Sequence, residues 1–389
     1  MYTGKMIFSQ VMDYAPRRKF KVCVDRYNGD KYTKSFSCSD QFRAMVFAQL
    51  TSRESLRDTV SCLNAVKSQL YHLGFCGKLT KSTLADANSK RNWRIYRDYA
   101  QVLIKQAKPL YADEPLPVNF DNSVYALDST IIDLCMSVFP WAEFRSTKSA
   151  IKLHTLLDLQ GDIPEFIHIS KGTLSDMEAL DYIPLKPGCL IIMDRGYIDY
   201  ARLYRFEDAH AYFIVRARKN LKFRRQYSQN IEKDTGVKYD QSGVLTGFYQ
   251  RKSYKTMLRR IKYYDVDQKR EFVFLTNNFK LSALSVAELY RSRWRVETFF
   301  KWIKQHLHIK KFFGTDKNAV KTQIWTAVCT YLLVAIMRKR LNIERSMYEI
   351  LQILGITVLQ KSFVSQVFSE METLNNNEHY CNQLSLFDF

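Results

Sequence analysis

Cys189-Leu190-Ile191-Ile192-Met193-Asp194 is an uninterrupted apolar run closed by a carboxylate. A short run without alternation reads as a central strand covered on both faces. Val124-Tyr125-Ala126-Leu127-Asp128 repeats the form, with an aspartate inside an apolar strand. A carboxylate in or at the end of a buried strand is costly unless something compensates it. If the two strands lie side by side, their carboxylates approach one another. Like charges at that range repel and shift a pKa strongly unless a cation sits between them. A divalent metal resolves the conflict, and Mg2+ prefers a few carboxylates plus water and phosphate oxygens. Taken singly, either aspartate also suits a cap or a turn, and Arg195-Gly196 after Asp194 is turn-like.

Working outward, residues 124–132, 151–159 and 164–170 read as strands, the last two joined through Gln160-Gly161-Asp162 as a hairpin. Residues 176–183 read as a short helix, 199–209 as a helix and 211–217 as another strand. Three strands, a helix, a strand, a helix and a strand make a mixed-sheet α/β layout in the ribonuclease-H-like order. Residues 218–275 are rich in Tyr, Lys and Arg, with short strand-like pieces such as 272–275. We read them as a β insertion within the catalytic domain, which comprises 119–217 and 276–345. From Ser285 to about Leu341 the chain reads as helical.

Upstream, residues 41–49 and 56–73 carry apolar residues at helical spacing, and Gly74 and Gly77 break the pattern. Residues 80–88 follow, with Lys81, Ser82 and Thr83 near the start, the form of a helix-turn-helix reader of DNA. An ordinary helical domain fits the same pattern. Pro109, Pro115 and Pro117 end this helical N-terminal region, 1–108. Residues 346–389 are expected to form a C-terminal helical segment and a flexible tail.

The 389 residues, 46% of them hydrophobic, suffice for two or three domains. A net charge of +20 points to a polyanionic partner, since basic side chains release counterions from nucleic acid. The charge is uneven: 14 acidic and 8 basic residues in 101–200 lie between basic flanks, as suits a metal site gripped by DNA-binding surfaces. The eight cysteines show no zinc-finger spacing and no disulfide framework, so a reducing cytoplasm fits. No signal core is expected. The longest apolar run, 324–337, is too short to span a bilayer and reads as a core helix, so no membrane partner is expected.

The strongest signal is Tyr290-Arg-Ser-Arg-Trp-Arg-Val-Glu-Thr-Phe-Phe-Lys-Trp-Ile-Lys304. On one helix, Tyr290, Arg293, Glu297 and Lys304 fall within an arc of roughly 60°, with Lys301 close to the same stripe. Val296, Phe299 and Ile303 lie on other sides and can pack inward. Such a helix points a carboxylate ringed by cations at a phosphate backbone. A solvated face with an Arg–Glu pair explains the charges, but not Tyr290 and Trp294 beside them. Tyr290-x2-Arg293-x3-Glu297-x6-Lys304 resembles the signature of the insertion-sequence-4 family of bacterial DDE transposases. Asp194-Arg195-Gly196-Tyr197 resembles that family's second-aspartate region, and the likeness covers about residues 120–345.

The resemblance implies that Asp128, Asp194 and Glu297 bind two metal ions in a ribonuclease-H-like fold and catalyse cleavage and strand transfer. We expect two Mg2+ ions, with Mn2+ able to substitute. Tyr290, Arg293, Trp294, Lys301 and Lys304 are expected to hold DNA. The expected partners are double-stranded DNA, as transposon terminal repeats and target, and a second copy of the chain in the DNA complex. The expected location is the bacterial cytoplasm, with the nucleoid. Some family members flip a base onto a Trp of the β insertion. This insertion has no Trp, so Tyr227, Tyr249 or Tyr254 takes that place, or the step differs. His154 and His168 lie in expected strands and read as core or surface residues rather than ligands. In the tail, Gln383, Leu384, Leu386 and Phe387 resemble the short peptide that binds the bacterial sliding clamp. A tail packed on its own domain is the alternative. A metal nuclease of the same fold without strand transfer, or a non-catalytic DNA-binding relic, would share most of these features.

Overall fold

The computed structural model describes residues 4–77, 79–145, 148–232, 235–306 and 312–368. They belong to two compact units, one of residues 111–302 and one of residues 1–110 with 303–389. The clamp-like residues Gln383, Leu384, Leu386 and Phe387 lie outside the described residues.

The second unit starts with helices α1 (Ile7–Asp13), α2 (Arg17–Arg26), α3 (Cys38–Leu50), α4 (Leu56–Ala65), α5 (Lys81–Lys90) and α6 (Arg94–Ala107). Ser37 and Asp40 form a capping box that starts α3, each side chain accepting the other's backbone N–H. The helix expected over 56–73 is shorter: α4 stops at Ala65 and a 3-10 stretch, Lys67–Leu73, continues. Gly74, at φ +84°, ends it in the left-handed conformation, with the Arg43 guanidinium packed where a Cβ would stand. Thr80 caps α5, accepting from the Thr83 N–H at 3.2 Å.

The other unit is built on a ten-stranded mixed sheet. Its strands are β1 (Val124–Leu134), β2 (Glu143–Arg145), β3 (Lys148–Asp158), β4 (Ile163–Lys171), β5 (Leu190–Met193), β6 (Tyr212–Arg216), β7 (Phe223–Ser228), β8 (Val237–Leu245), β9 (Leu258–Asp265) and β10 (Arg270–Thr276). The spatial order is β2-β3-β1-β5-β6-β10-β9-β8-β7, with β4 also paired to β3. β5 is parallel to β1 and to β6, and the other pairings are antiparallel. Helices α7 (Asp176–Ala179), α8 (Tyr200–Asp208), α9 (Phe248–Ser253), α10 (Ala283–Arg291) and α11 (Trp294–His306) complete this part of the chain.

All four residues of β5 are fully buried, as an apolar run flanked by strands on both sides requires. The β3–β4 turn places Gly161 at φ +82° and Asp162 at φ +58°. A Cβ on Gly161 would stand 2.3 Å from the Tyr111 ring. Residues 218–275 supply β7 to β10 and α9, and β10 docks on β6, so the inserted segment lengthens the sheet. The edge strand β7 exposes Arg224 and Arg225, charges that deter pairing with another edge.

Helices α12 (Lys317–Arg340) and α13 (Met347–Thr357) follow. Residues Ala319 and Val320, and Thr322 to Met337, are buried. A helix apolar on all sides needs cover on all sides. α12 has the length and composition of a membrane span, but α3, α5, α6 and α13 provide that cover. α12 thus packs among the N-terminal helices.

Candidate active site

In the β1–β5 register Leu127 stands opposite Met193, which makes Asp128 and Asp194 the next neighbours on one face. β5 ends there, while β1 continues to Leu134 against β3. Asp194 thus stands at the carboxyl end of a parallel strand, where open α/β sheets place their crevices. Asp128 accepts from the Ser129 N–H at 2.8 Å and from Arg293 Nη1 at 2.7 Å. Burial pushes its pKa up to about 6. Arg293 and the Ser129 N–H act in the opposite direction, and Glu297 and Asp176 add to the rise.

Arg293 also donates through Nη2 to Glu297 Oε1 at 2.7 Å, so one guanidinium joins Asp128 on the sheet to Glu297 on α11. The Tyr290 hydroxyl donates to Asp194 Oδ1 at 3.3 Å. The Tyr290 ring lies 5.9 Å from the Arg293 guanidinium and 4.7 Å from the Phe274 ring. Burial, then Asp194, raises the Tyr290 pKa to about 12, so the phenol stays protonated and keeps donating. Asp128 and Glu297 thus share Arg293, while Asp194, the neighbour of Asp128 in register, bonds to Tyr290.

One expectation needs correction. Tyr290, Arg293, Glu297 and Lys304 do not share one helix. Tyr290 lies on α10, Arg293 in the turn at 292–293, and Glu297 and Lys304 on α11. The Ser292 hydroxyl donates to the Glu288 carbonyl at 3.3 Å, and the Arg293, Arg295 and Val296 N–H groups each bond three residues back. Such back-bonding and tightening bend a helix. The bend aims Arg293 at Asp128 rather than at solvent. Among the described residues, no group of three or more His, Cys, Asp or Glu is already gathered about one point. The Arg293 guanidinium stands between two of the carboxylates, where shared cations were expected.

The donors nonetheless fit a divalent metal in kind. They are hard carboxylate oxygens, and Asp128 is half-buried with a charge that favours a cation nearby. Arg293 is that cation here, so ligation by both Asp128 and Glu297 requires its side chain to move away. Of the expected DNA contacts, Trp294 is 64% exposed, Lys301 is exposed and Lys304 is half-buried on α11. Val296, Phe299 and Ile303 are buried, as expected. A cavity of about 540 Å³ opens beside Asp194, Tyr290 and Arg293 and is also lined by Arg216, Arg270 and Phe272. Arg216 and Arg270 lie 5.0 and 5.5 Å from the Phe272 ring. Tyr254 cannot stack on a flipped base, because it is buried and its hydroxyl donates to Glu207 at 2.5 Å. Tyr227 and Tyr249 are exposed.

The sequence reading missed the opposite face of β1. Ser129 and Lys152 donate to Asp176 Oδ1 at 2.6 and 2.8 Å, and His154 Nδ1 lies 3.8 Å from the same oxygen. The signal was present: Lys152 and His154 are two apart on an apolar strand, hence on one face, and His154 pairs with Ser129. His154 is fully buried, and its pKa falls to about 4, chiefly through burial and then through Lys152. A depressed histidine pKa contributes stability above the unfolded value near 6.5, lost as pH falls toward 4. We therefore predict that urea unfolding loses about 3 kcal/mol over that window through this residue. His154→Phe should flatten the loss, and an unchanged pH profile in that variant would contradict the assignment.

Comparison with known proteins gives a consistent set. The transposase DDE domain family matches residues 119–333. A domain of unknown function, DUF4372, matches residues 3–76. The chain is 30% identical over 262 residues to a protein named as transposase y4zB of Sinorhizobium fredii, covering 67% of this chain and 71% of the relative. It is 28% identical over 221 residues to one named as transposase for insertion sequence element IS5377 of Geobacillus stearothermophilus, covering 56% and 57%. It is 22% identical over 260 residues to one named as transposase for insertion sequence element IS4SA of Synechocystis sp., covering 66% and 71%.

Proposed function

The chain belongs to the DDE transposases of insertion sequences, and on that premise we propose that Asp128, Asp194 and Glu297 are its catalytic carboxylates. The observation that carries the reading is Arg293, which bridges Asp128 and Glu297 at the edge where Asp128 and Asp194 are neighbours. The reaction is hydrolysis of phosphodiester bonds at the transposon ends, followed by strand transfer into target DNA. The spacing Tyr290-x2-Arg293-x3-Glu297-x6-Lys304 supports membership of the insertion-sequence-4 family within the DDE transposases.

The family depends on divalent metal. We propose two Mg2+ ions held by Asp128, Asp194 and Glu297, with Mn2+ able to substitute. What bound ions supply is activation of the attacking water or 3′-hydroxyl and stabilisation of the leaving oxygen. Glu297 and Asp128 exchange Arg293 for this task, and the freed guanidinium suits bidentate contact with a DNA phosphate. Tyr290 orients Asp194 through its hydroxyl. Trp294 and Lys301, exposed on α11, and Lys304 further along it, face the strand being cut. The helical unit binds the terminal repeats, with the capped start of α5 as the reading element. The chain works as a dimer on DNA, in the cytoplasm with the nucleoid. The tail residues Gln383, Leu384, Leu386 and Phe387 bind the sliding clamp, a reading that micromolar peptide-binding measurements decide.

The test is an assay with pre-cleaved transposon ends and a supercoiled target plasmid. Metal-dependent joining of ends to plasmid is the expected result. Nicking without joining would leave a nuclease of the same fold.

A further inference from the structure

We propose that the helical unit carries a clamp for the DNA backbone, formed by Arg94 and Lys321 at the indole of Trp93 with Lys317 one helical turn before Lys321. This rests on the reading of the chain as a DNA transposase and names where on the unit a strand lies.

The site is built on a fixed platform. The Asn318 side chain donates to the Asn88 and Arg91 carbonyls at 2.8 and 2.6 Å and accepts from the Trp93 N–H at 3.2 Å. The Ser89 hydroxyl donates to Asp316 Oδ2 at 2.6 Å, while Asp316 Oδ1 caps α12. The turn between α5 and α6 is thereby pinned to the start of α12, and the Trp93 backbone is held on it.

Three cations converge on this one ring. Lys321 Nζ is 4.4 Å from the indole centroid, and the guanidinium groups of Arg94 and Arg97 are 4.9 and 5.5 Å away. Lys317 lies one helical turn before Lys321. The nearby carboxylates are spent elsewhere. Asp98 takes Arg97 at 2.8 Å and Arg26 at 2.7 Å, and Asp316 is committed to the cap and to Ser89. Arg94, Lys317 and Lys321 have no carboxylate partner among the described residues. One indole cannot neutralise the two cations at the ring that lack a carboxylate, Arg94 and Lys321. Burial, reinforced by Lys317, Arg94 and Arg97, lowers the Lys321 pKa to about 8. Such a cluster is costly in isolation and favourable once an anion joins it.

The anion that fits is a backbone phosphate in a chain of phosphates. Arg94 offers a planar fork and the lysines offer point charges to phosphate oxygens, and the ring presents apolar surface to a sugar. The positive surface also extends past one phosphate. A cavity of about 560 Å³ adjoins the turn and is lined by Lys31, Lys34, Lys90 and Arg91. Asp86 lines it too, but pairs with Lys90 at 3.0 Å.

Two measurements on the full chain test the clamp. Amine acetylation at pH 8, read by mass spectrometry, should modify Lys321 readily in the free protein. A random-sequence duplex should suppress that modification, and inorganic phosphate at the same phosphate concentration should not. In salt titrations of duplex binding, Arg94→Gln/Lys321→Gln should lower the slope of log K against log salt by about 2. Lys321→Arg should keep the wild-type slope. If the wild type binds duplex while Lys321 labelling and the slope stay unchanged, the clamp is wrong. Equal protection by inorganic phosphate would replace it with a small-anion site. Failure of the wild type to bind duplex at all would overturn the transposase reading itself.

Discussion

Glu297→Gln is expected to bind duplex DNA like the wild type and to cleave it about a thousandfold more slowly or worse. The substitution preserves shape, and the amide oxygen still accepts from Arg293 Nη2, which now holds Glu297 at 2.7 Å. The turn at 292–293 and the packing of Val296 and Phe299 should therefore survive. What disappears is a negative charge facing Asp128 across one guanidinium. An acceptor without charge is a poor ligand for a hard cation. A loss of roughly 4 kcal/mol of transition-state stabilisation, well within what a metal contributes, is a factor of about 1,000 in rate. Gel-shift and cleavage assays on one labelled duplex measure both quantities together. Cleavage at the wild-type rate would remove Glu297 from the site.

The second large effect is on stability. Arg259 and Asp240 form a buried pair on β9 and β8, with bonds of 2.9 and 2.6 Å. Arg259 also donates to the Asn278 and Leu281 carbonyls at 3.2 and 2.5 Å, fixing the chain that leads from β10 into α10. Asp240→Ala leaves a guanidinium that is 1% exposed without its counter-charge. Removing one partner of a buried pair typically costs about 3–5 kcal/mol, whereas replacing both by apolar groups of similar volume is often near neutral. Urea unfolding should therefore show Asp240→Ala as severely destabilised and Asp240→Leu/Arg259→Met as much closer to wild type. Equal losses in the two would contradict this and would mean that the Arg259 bonds to the Asn278 and Leu281 carbonyls, which only the double variant loses, matter as much as the ion pair.

Much of the sheet was legible because its signals are local. The run 190–193 has no polar residue, and it became the buried centre. Gln160-Gly161-Asp162 requires positive φ, and the turn has it at Gly161 and Asp162. Asp128 and Asp194 were legible as carboxylates ending or interrupting such strands, and the register makes them neighbours. What the sequence hid depends on bends and on partners distant in the chain. A periodicity argument treats 285–341 as one helix and cannot see Ser292 bonding back to Glu288. It therefore could not show that Arg293 bridges Asp128 and Glu297 in the fold. Asp176, on α7, escaped notice because its partners, Ser129, Lys152 and His154, come from two strands distant in the chain. The placement of α12 among α3, α5 and α6 was equally hidden. An apolar helix announces that it is buried, not which helices bury it.

The central claim is that the carboxylate at the end of β5 touches a catalytic metal ion. It is tested most directly by Asp194→Cys, assayed for cleavage in Mg2+ and in Mn2+. A thiolate is a poor ligand for Mg2+ and a more acceptable one for Mn2+. The account predicts that the variant binds DNA, fails to cleave it in Mg2+, and recovers cleavage in Mn2+. Equal rates in the two metals, at either the wild-type or the background level, would contradict it.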